Sequence, residues 1–303
     1  DQEDRKVNEV DIERIFEWAP EEPPHYHILT NGFYQVMITT LGTGFSRAGD
    51  MQITRWREGS HNNYGNFIFI KNLKNNKIWS TTERPIGKKT DKYRVVFSED
   101  KGEFIRKDDN IECHTEIVIS TEHPVEIRKL TITNHETLEQ ELEVTSYLEL
   151  VLAPQSADIA HPAFNNLFVR TEKMEGIDGI MASRRPRGDF KKENWYFHIL
   201  TIDGKRIGNF EYETSRNNFI GRARVLSNAE KLHLPLDNSI GAVLDPIISL
   251  RSKVKVPAQD SITLTFVNGI GDTKEQVRLL ALKYSEPLSV KQAFQLSKIR
   301  NQI

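Results

Sequence analysis

IECHTEIVISTEHPVEIRKLTITNHETLEQELEVTSYLELVL, residues 111–152, is the stretch on which the fold turns. Ile111, Cys113, Thr115, Ile117 and Ile119 alternate with Glu112, His114 and Glu116, the two-residue period of a strand with one apolar face. Val125 to Thr133 makes a second strand, ended by an Asn134-His135-Glu136 turn. Leu142, Val144, Ser146, Leu148, Leu150 and Leu152 then line a long strand whose other face carries Glu141, Glu143, Thr145, Tyr147 and Glu149. Long neighbouring strands of this kind, each with one polar face, predict wide stacked antiparallel sheets rather than a parallel α/β fold.

The same signals extend outward in both directions. Upstream, Asn31-Gly32 sits between two apolar runs as a hairpin turn, and NFIFIKN and KIWS flank a polar LKNN. Tyr93 to Ser98 and Glu103 to Lys107 flank Asp100-Lys101-Gly102. Downstream, strands are expected at Leu167–Arg170, Gly179–Ser183 and Trp195–Ile202. Ile248 to Val256 alternates cleanly and turns into Ile262, Leu264 and Phe266. PQSADIAHPAFNN, after Ala153, carries few strand signals and reads as a long functional loop, and EYETSRNNFIGRAR as a loop or short helix. Residues 1–24 read as a tail or linker: DQEDRKVNEVDIERIF as a short helix, then APEEPP as extended chain. Residues 25–271 form one all-β antiparallel sandwich. In 272–303 the periodicity becomes helical, with Asp272 as N-cap and Glu275 completing a capping box, and a second helix from Ser289.

Composition narrows the function classes. The 303 residues carry 41 basic and 43 acidic side chains, a net charge of −2, which argues against a dedicated nucleic-acid binder. No apolar run approaches the roughly 20 residues of a membrane span. One cysteine, Cys113, excludes an intrachain disulfide and a cysteine-based zinc site, and fits a reducing, cytoplasmic compartment. It falls on the apolar strand face and is expected in the core.

Candidate chemistry concentrates at Leu41 to Gly59, LGTGFSRAGDMQITRWREG. Gly42 and Gly44 form a glycine-spaced turn before Phe45-Ser46-Arg47, and Ala48-Gly49-Asp50 forms another. If Met51 to Glu58 is a strand, Arg55 and Arg57 share one face and Trp56 and Glu58 the other. Trp56 beside Glu58 suits a sugar: the ring packs on the C–H face and the carboxylate accepts from hydroxyls. Arg55 and Arg57 suit carboxylates of a second domain, preferred here to phosphate. Asp158 and His161, three apart, are an acid/base candidate, though a loop-ordering hydrogen bond fits them better. Arg184, Arg185 and Arg187 form a basic run, and Arg216 and Arg222 flank Phe219 and Gly221 as a docking turn. His25 and His27 share a strand face without a third ligand, so no metal site is expected.

Taken together, HILTNGFYQVMITTLGTGFSRAGDMQITRWRE, EVTSYLELVLAPQSADIAHPAFNNLF, ASRRPRG, ETSRNNFIGRAR and GAVLDPIISLR resemble, in order, one family. It is the N-terminal β-supersandwich domain of glycoside hydrolase family 94, formerly glycosyltransferase family 36. The likeness is nearest to the version in cyclic β-1,2-glucan synthases and 1,2-β-oligoglucan phosphorylases. It implies a galactose mutarotase-like sandwich, then a helical linker and an (α/α)6 barrel. In the family the barrel supplies the catalytic acid and inorganic phosphate attacks the anomeric carbon, so no catalytic residue and no cofactor are expected here. The implied partners are a β-glucan oligosaccharide, the barrel and a second copy of the chain. The implied place is the cytoplasm, including the cytoplasmic part of an inner-membrane synthase. Arg47, Arg55, Trp56, Arg57, Glu58, Asp158, His161, Arg184, Arg185, Arg216 and Arg222 are then candidates for carbohydrate binding or domain docking. Two other readings stay open. One is an independent aldose epimerase using His114, His161, Glu58 or Glu149; the other is a purely structural dimerising module.

Overall fold

The computed structural model describes residues 12–17, 23–58, 63–186 and 192–300. The first eleven residues of the expected tail, Gly59, Arg187 and Gly188 of the basic loop, and the last three residues lie outside that set. In chain order, β1 (Arg14–Glu17) precedes a meander of β2 (Tyr26–Thr30), β3 (Tyr34–Thr39), β4 (Gly44–Ala48) and β5 (Met51–Thr54). A hairpin of β6 (Phe67–Asn72) and β7 (Ile78–Ser80) follows. Then come β8 (Lys92–Phe97), β9 (Gly102–Asp108), β10 (Ile111–Ile119) and β11 (Val125–Asn134), each antiparallel to the one before. The long β12 (Gln140–Pro154) leads through α1 (Gln155–Ala160) and α2 (Pro162–Asn166) to β13 (Val169–Lys173). Next are β14 (Gly179–Arg184), β15 (Asn194–Asp203), β16 (Lys205–Ser215), α3 (Arg216–Ile220) and the two-residue β17 (Gly241–Ala242). β18 (Pro246–Val256) and β19 (Ser261–Gly271), one in each sheet, end the sandwich, and α4 (Lys274–Tyr284) and α5 (Pro287–Arg300) follow.

These strands build two sheets. The first runs β1-β8-β9-β10-β11-β19-β15-β14-β13-β17 and the second β16-β18-β12-β5-β4-β3-β2, with β6 on β12 and β7 on β6. Apolar side chains of both inner faces, among them Ile117, Leu130, Leu148, Leu150, Leu250 and Phe266, fill the space between them. Both outer faces are also covered. On the first sheet, Val125, Ile127, Phe197 and Val267 pack against Val277, Ala281 and Tyr284 of α4 and Val290 and Ala293 of α5. On the second, Phe67, Phe69, Tyr147 and Ile247 pack against Phe219, Ile220, Leu226, Leu232 and Leu236. The all-β supersandwich with C-terminal helices expected from the alternation is therefore the fold observed, and Cys113 is buried in its core.

Several local expectations are corrected. Arg14–Glu17 is an edge strand paired with β8, not part of a helix, because adding to an open edge satisfies more backbone groups than one isolated turn. Met51 to Glu58 is a strand only to Thr54. Residues 211–215 of EYETSRNNFIGRAR belong to β16, and only Arg216–Ile220 is helical. PQSADIAHPAFNN holds two short helices rather than loop. The polar face of β12 is outside only at Glu141: Glu143, Thr145, Tyr147 and Glu149 are all buried. Thr273, not Asp272, caps α4, its hydroxyl accepting from the Gln276 N–H while the Gln276 side chain accepts from Asp272 N–H. The last helix starts two residues earlier than Ser289, at Pro287.

An arginine and carboxylate cluster as the candidate functional site

β12 positions the site. It pairs with β18 and β6 through its first half and with β5 through its end, and its register to β5 slips between Leu150 and Ala153. Leu152 has φ 52°, the left-handed conformation that accommodates the extra residue of a bulge. The bulge turns the chain into α1 and α2, which fold back beside the end of β5. Thr54 pairs with Leu150, and the next residue, Arg55, donates its backbone N–H to Glu149 O at 3.0 Å.

Arg55 is 7 % exposed and all five of its guanidinium N–H groups have partners. Nε and Nη2 donate to the two oxygens of Asp158 at 3.3 and 3.2 Å. Nη1 donates to Glu149 Oε2 at 3.0 Å and to Asp245 Oδ1 at 3.3 Å, and Nη2 donates also to Asn166 Oδ1 at 3.0 Å. Arg57 Nη2 reaches the Asp158 carboxylate at 2.8 Å and its backbone carbonyl at 2.9 Å. Arg216, at the start of α3, donates to Glu149 Oε1 at 2.8 Å, where the Tyr147 hydroxyl also donates at 3.0 Å.

Three guanidinium groups thus face three carboxylates. Burial disfavours the charge on Arg55, but the Asp158 hydrogen bonds and the Glu149, Asp158 and Asp245 charges outweigh it, so its pKa is raised. Burial and the neighbouring Glu149 charge push the Asp245 carboxyl up, against the pull of Arg55 and Arg216. Burial first, then Glu149, raises Tyr147 well above the usual phenol range. Each carboxylate is paired with a guanidinium, and the cluster joins five chain segments. Its rim still meets solvent. Arg216 and Asp245 are partly exposed, Trp56 packs on Phe45 with ring centroids 5.7 Å apart, and Ile159, Phe164, Leu167 and Leu244 are exposed around it.

The expected site residues divide accordingly. Arg55, Arg57, Asp158 and Arg216 come together. Arg55 is held inside the chain's own fold, not presented to another domain's carboxylates. Asp158 pairs with Arg55 and Arg57 rather than with His161, which is exposed between α1 and α2. Trp56 and Glu58 do not share a strand face, because the strand has ended; Glu58 is exposed. Arg47 donates to Gln35 on the neighbouring strand. Arg184 holds α2 through the Asn165 carbonyl at 2.9 Å and lies 5.6 Å from the Phe168 ring centroid, so it is no solvated charge run. Arg185 and Arg222 are exposed. Of the epimerase candidates, Glu149 is committed to the cluster and His114 pairs with Glu103 on β9. Sequence reasoning missed Asp245, Asn166 and Tyr147, which lie 90 to 190 positions from Arg55 and carry no spacing signal.

Two further groups bear on metals. His27 is engaged at both ring nitrogens, by Arg14 at 3.1 Å and Ser98 O at 2.7 Å. Glu103, His114 and Glu116 bring ligand atoms within 4.8 Å of one another, but Lys101 Nζ lies 3.2 Å from both carboxylates and Lys129 Nζ 3.0 Å from Glu116, so two ammonium groups already balance them.

The family model "Glycosyl hydrolase 94, supersandwich domain" matches residues 12–287, and the chain belongs to that family. Cyclic beta-(1,2)-glucan synthase NdvB of Rhizobium meliloti (strain 1021) is 33% identical over 263 residues, 86% of this chain and 9% of that protein. Solabiose phosphorylase of Paenibacillus borealis is 21% identical over 229 residues, 75% of this chain and 29% of that one. The chain therefore spans less than a third of either relative. Among solved structures, a bacterial glucoamylase complexed with acarbose superposes with TM-score 0.52 at 10% identity, over 94% of this chain and 40% of its own. A putative kojibiose phosphorylase from human microbiome does so with TM-score 0.51 at 9% identity, over 89% and 35%. These two likenesses concern the fold.

Proposed function

We propose that the chain is a non-catalytic, carbohydrate-associated domain of a larger β-1,2-glucan-active synthase or phosphorylase. In this reading the Arg55 cluster stiffens the end of the sandwich that docks on the (α/α)6 catalytic barrel of the same polypeptide. The observation that carries it is the commitment of Glu149, Asp158 and Asp245 to Arg55, Arg57 and Arg216. A general acid must deliver a proton to a leaving oxygen, and all three of these carboxylates are engaged by guanidinium groups of the chain's own fold. The acid, and the site for inorganic phosphate as co-substrate, then belong to the barrel. The exposed apolar rim of Ile159, Phe164, Leu167 and Leu244 supports docking. A dimer through the same domain and a cytoplasmic site of action are part of the proposal. Among the described residues no helix is long and apolar enough to cross a membrane.

The test is an assay of the purified chain with phosphate and β-1,2-glucooligosaccharides. No release of glucose 1-phosphate is expected from the chain alone, and release is expected from the parent polypeptide. Turnover by the chain alone would overturn the proposal.

A further inference from the structure

An aromatic ring among hydrogen-bonding side chains on one strand face, expected at Trp56, occurs instead on the outer face of the ten-stranded sheet. Val169, Ile180, Ala182 and Tyr196 point into the sandwich core, so Arg170, Ser183 and Trp195 point the other way. Arg170 of β13 lies directly opposite Ser183 of β14, and Ser183 opposite Trp195 of β15. The three side chains therefore stand in one row, with Cβ atoms about 5 Å apart from each to the next. Glu172, Arg185 and Glu193 complete a cleft of about 380 Å³, within the size range of small-molecule sites.

The chemistry of this lining is specific. Ser183 is 6 % exposed and forms the floor. Lys274 Nζ, from the first turn of α4, donates to Glu172 Oε2 at 2.8 Å and lies 5.8 Å from the Trp195 ring centroid. It thereby fixes the carboxylate and covers part of the indole without lining the cleft. The lining itself carries two guanidinium groups and two carboxylates, and the Lys274 ammonium beside it is engaged by Glu172. Together they offer donors and acceptors in the alternation that sugar hydroxyls require, and the indole supplies apolar surface for the C–H face of a pyranose.

We propose that this cleft binds one or two pyranose units of a neutral oligosaccharide, at a site separate from the Arg55 cluster. Naming a β-1,2-linked glucan as that oligosaccharide rests on the carbohydrate-associated reading above. The proposal also gives Arg185, from the basic run 184–188, a role that the cluster does not use.

Calorimetric titration of the purified chain with short β-1,2-linked glucooligosaccharides tests it, with inorganic phosphate as the anionic comparison. Binding at about millimolar Kd is expected for the sugar. Trp195→Ala should weaken it about tenfold or more. Because Trp195 also packs on the core, the paired variant Arg170→Gln with Glu193→Gln, on side chains at the rim, should weaken binding about as much with an unchanged melting curve. If the wild type binds and both variants bind equally well, the site is overturned while the carbohydrate reading stands. If the wild type does not bind sugar, site and carbohydrate association both fall, leaving domain docking. Phosphate competing for the cleft would overturn its assignment to a neutral ligand.

Discussion

Arg55 and Glu149 are joined twice, by a backbone hydrogen bond from Arg55 N to Glu149 O at 3.0 Å and by a side-chain bond from Nη1 to Oε2 at 3.0 Å. The first is a continuation of the pairing between β5 and β12; the second turns that pairing into an anchor for α1, α2 and the residues before β18. Removing the guanidinium while keeping the backbone bond separates the two roles. Arg55→Met should cost about 3–5 kcal/mol in urea unfolding, because it leaves buried Glu149 and Asp158 with fewer counter-charges. Arg55→Lys should recover only part of this, since an ammonium cannot span the partners of a five-donor fork. A loss under about 1 kcal/mol for Arg55→Met would show the cluster to be energetically idle.

Gly44 sits at φ 155° where β4 begins, and a Cβ there would lie 1.9 Å from the Met37 carbonyl oxygen. Backbone cannot give way as a side chain can, so Gly44→Ala should destabilise by about 3 kcal/mol or more, or prevent folding. Gly49, at φ 54°, has only the Phe33 ring at 3.8 Å. Gly49→Ala should cost about 1 kcal/mol, from the left-handed conformation alone. Equal costs in thermal melts would contradict the close-approach explanation.

His198 is fully buried, its Nε2 facing the Ser146 hydroxyl at 2.9 Å and its Nδ1 bonded to Asn268 Oδ1. Ser146 Oγ also accepts from Leu250 N at 3.1 Å, so its hydroxyl hydrogen is available to Nε2 and the ring is held neutral. Burial, opposed chiefly by the Asn268 hydrogen bond, lowers its pKa from 6.5 to about 4. Below pH 6.5 the unfolded chain takes up a proton that the folded chain refuses. Stability should therefore fall as pH drops from 6.5 to about 4, by roughly 3 kcal/mol from this group, and level off beneath. His198→Gln should flatten that part of the stability curve relative to wild type; parallel curves would refute the assignment.

Phe164 is 44 % exposed, its ring packing edge-on against Phe168 at 5.4 Å, and Leu244 is 71 % exposed. Leu244→Glu should leave the isolated chain's stability within about 0.5 kcal/mol, and Phe164→Glu should cost about 0.5–1.5 kcal/mol through the lost ring contact. In the parent polypeptide, or with sandwich and barrel expressed as separate pieces, they should weaken association and lower activity. Full activity and undiminished co-purification with both variants would remove the rim from the docking surface.

Much of the sandwich was legible because strand periodicity and turn chemistry are local. Asn31-Gly32, the alternation through β10, and the alternation along β18 each declare themselves within about a dozen residues. The errors share one cause. Alternation distinguishes a polar face from an apolar one but does not say whether the polar face is later covered. On β12 it is covered by the segment from Phe219 to Leu236, so Tyr147 and Glu149, expected outside, are buried. Similarly, Arg14–Glu17 reads as helix until the open edge of β8 is there to receive it.

At the candidate site the division is sharper. By itself, the sequence determined which residue types were available near β5: an arginine pair, a tryptophan, and one carboxylate, Asp158, in the segment after Ala153. Only the tertiary structure decided that Arg55 meets Glu149, Asp158 and Asp245, drawn from positions 94, 103 and 190 residues away. The physical reason is that a charge is tolerated inside a protein only where opposite charges and hydrogen bonds surround it. Those partners are gathered by strand register and by one bulge, neither of which leaves a mark in the spacing of the chain.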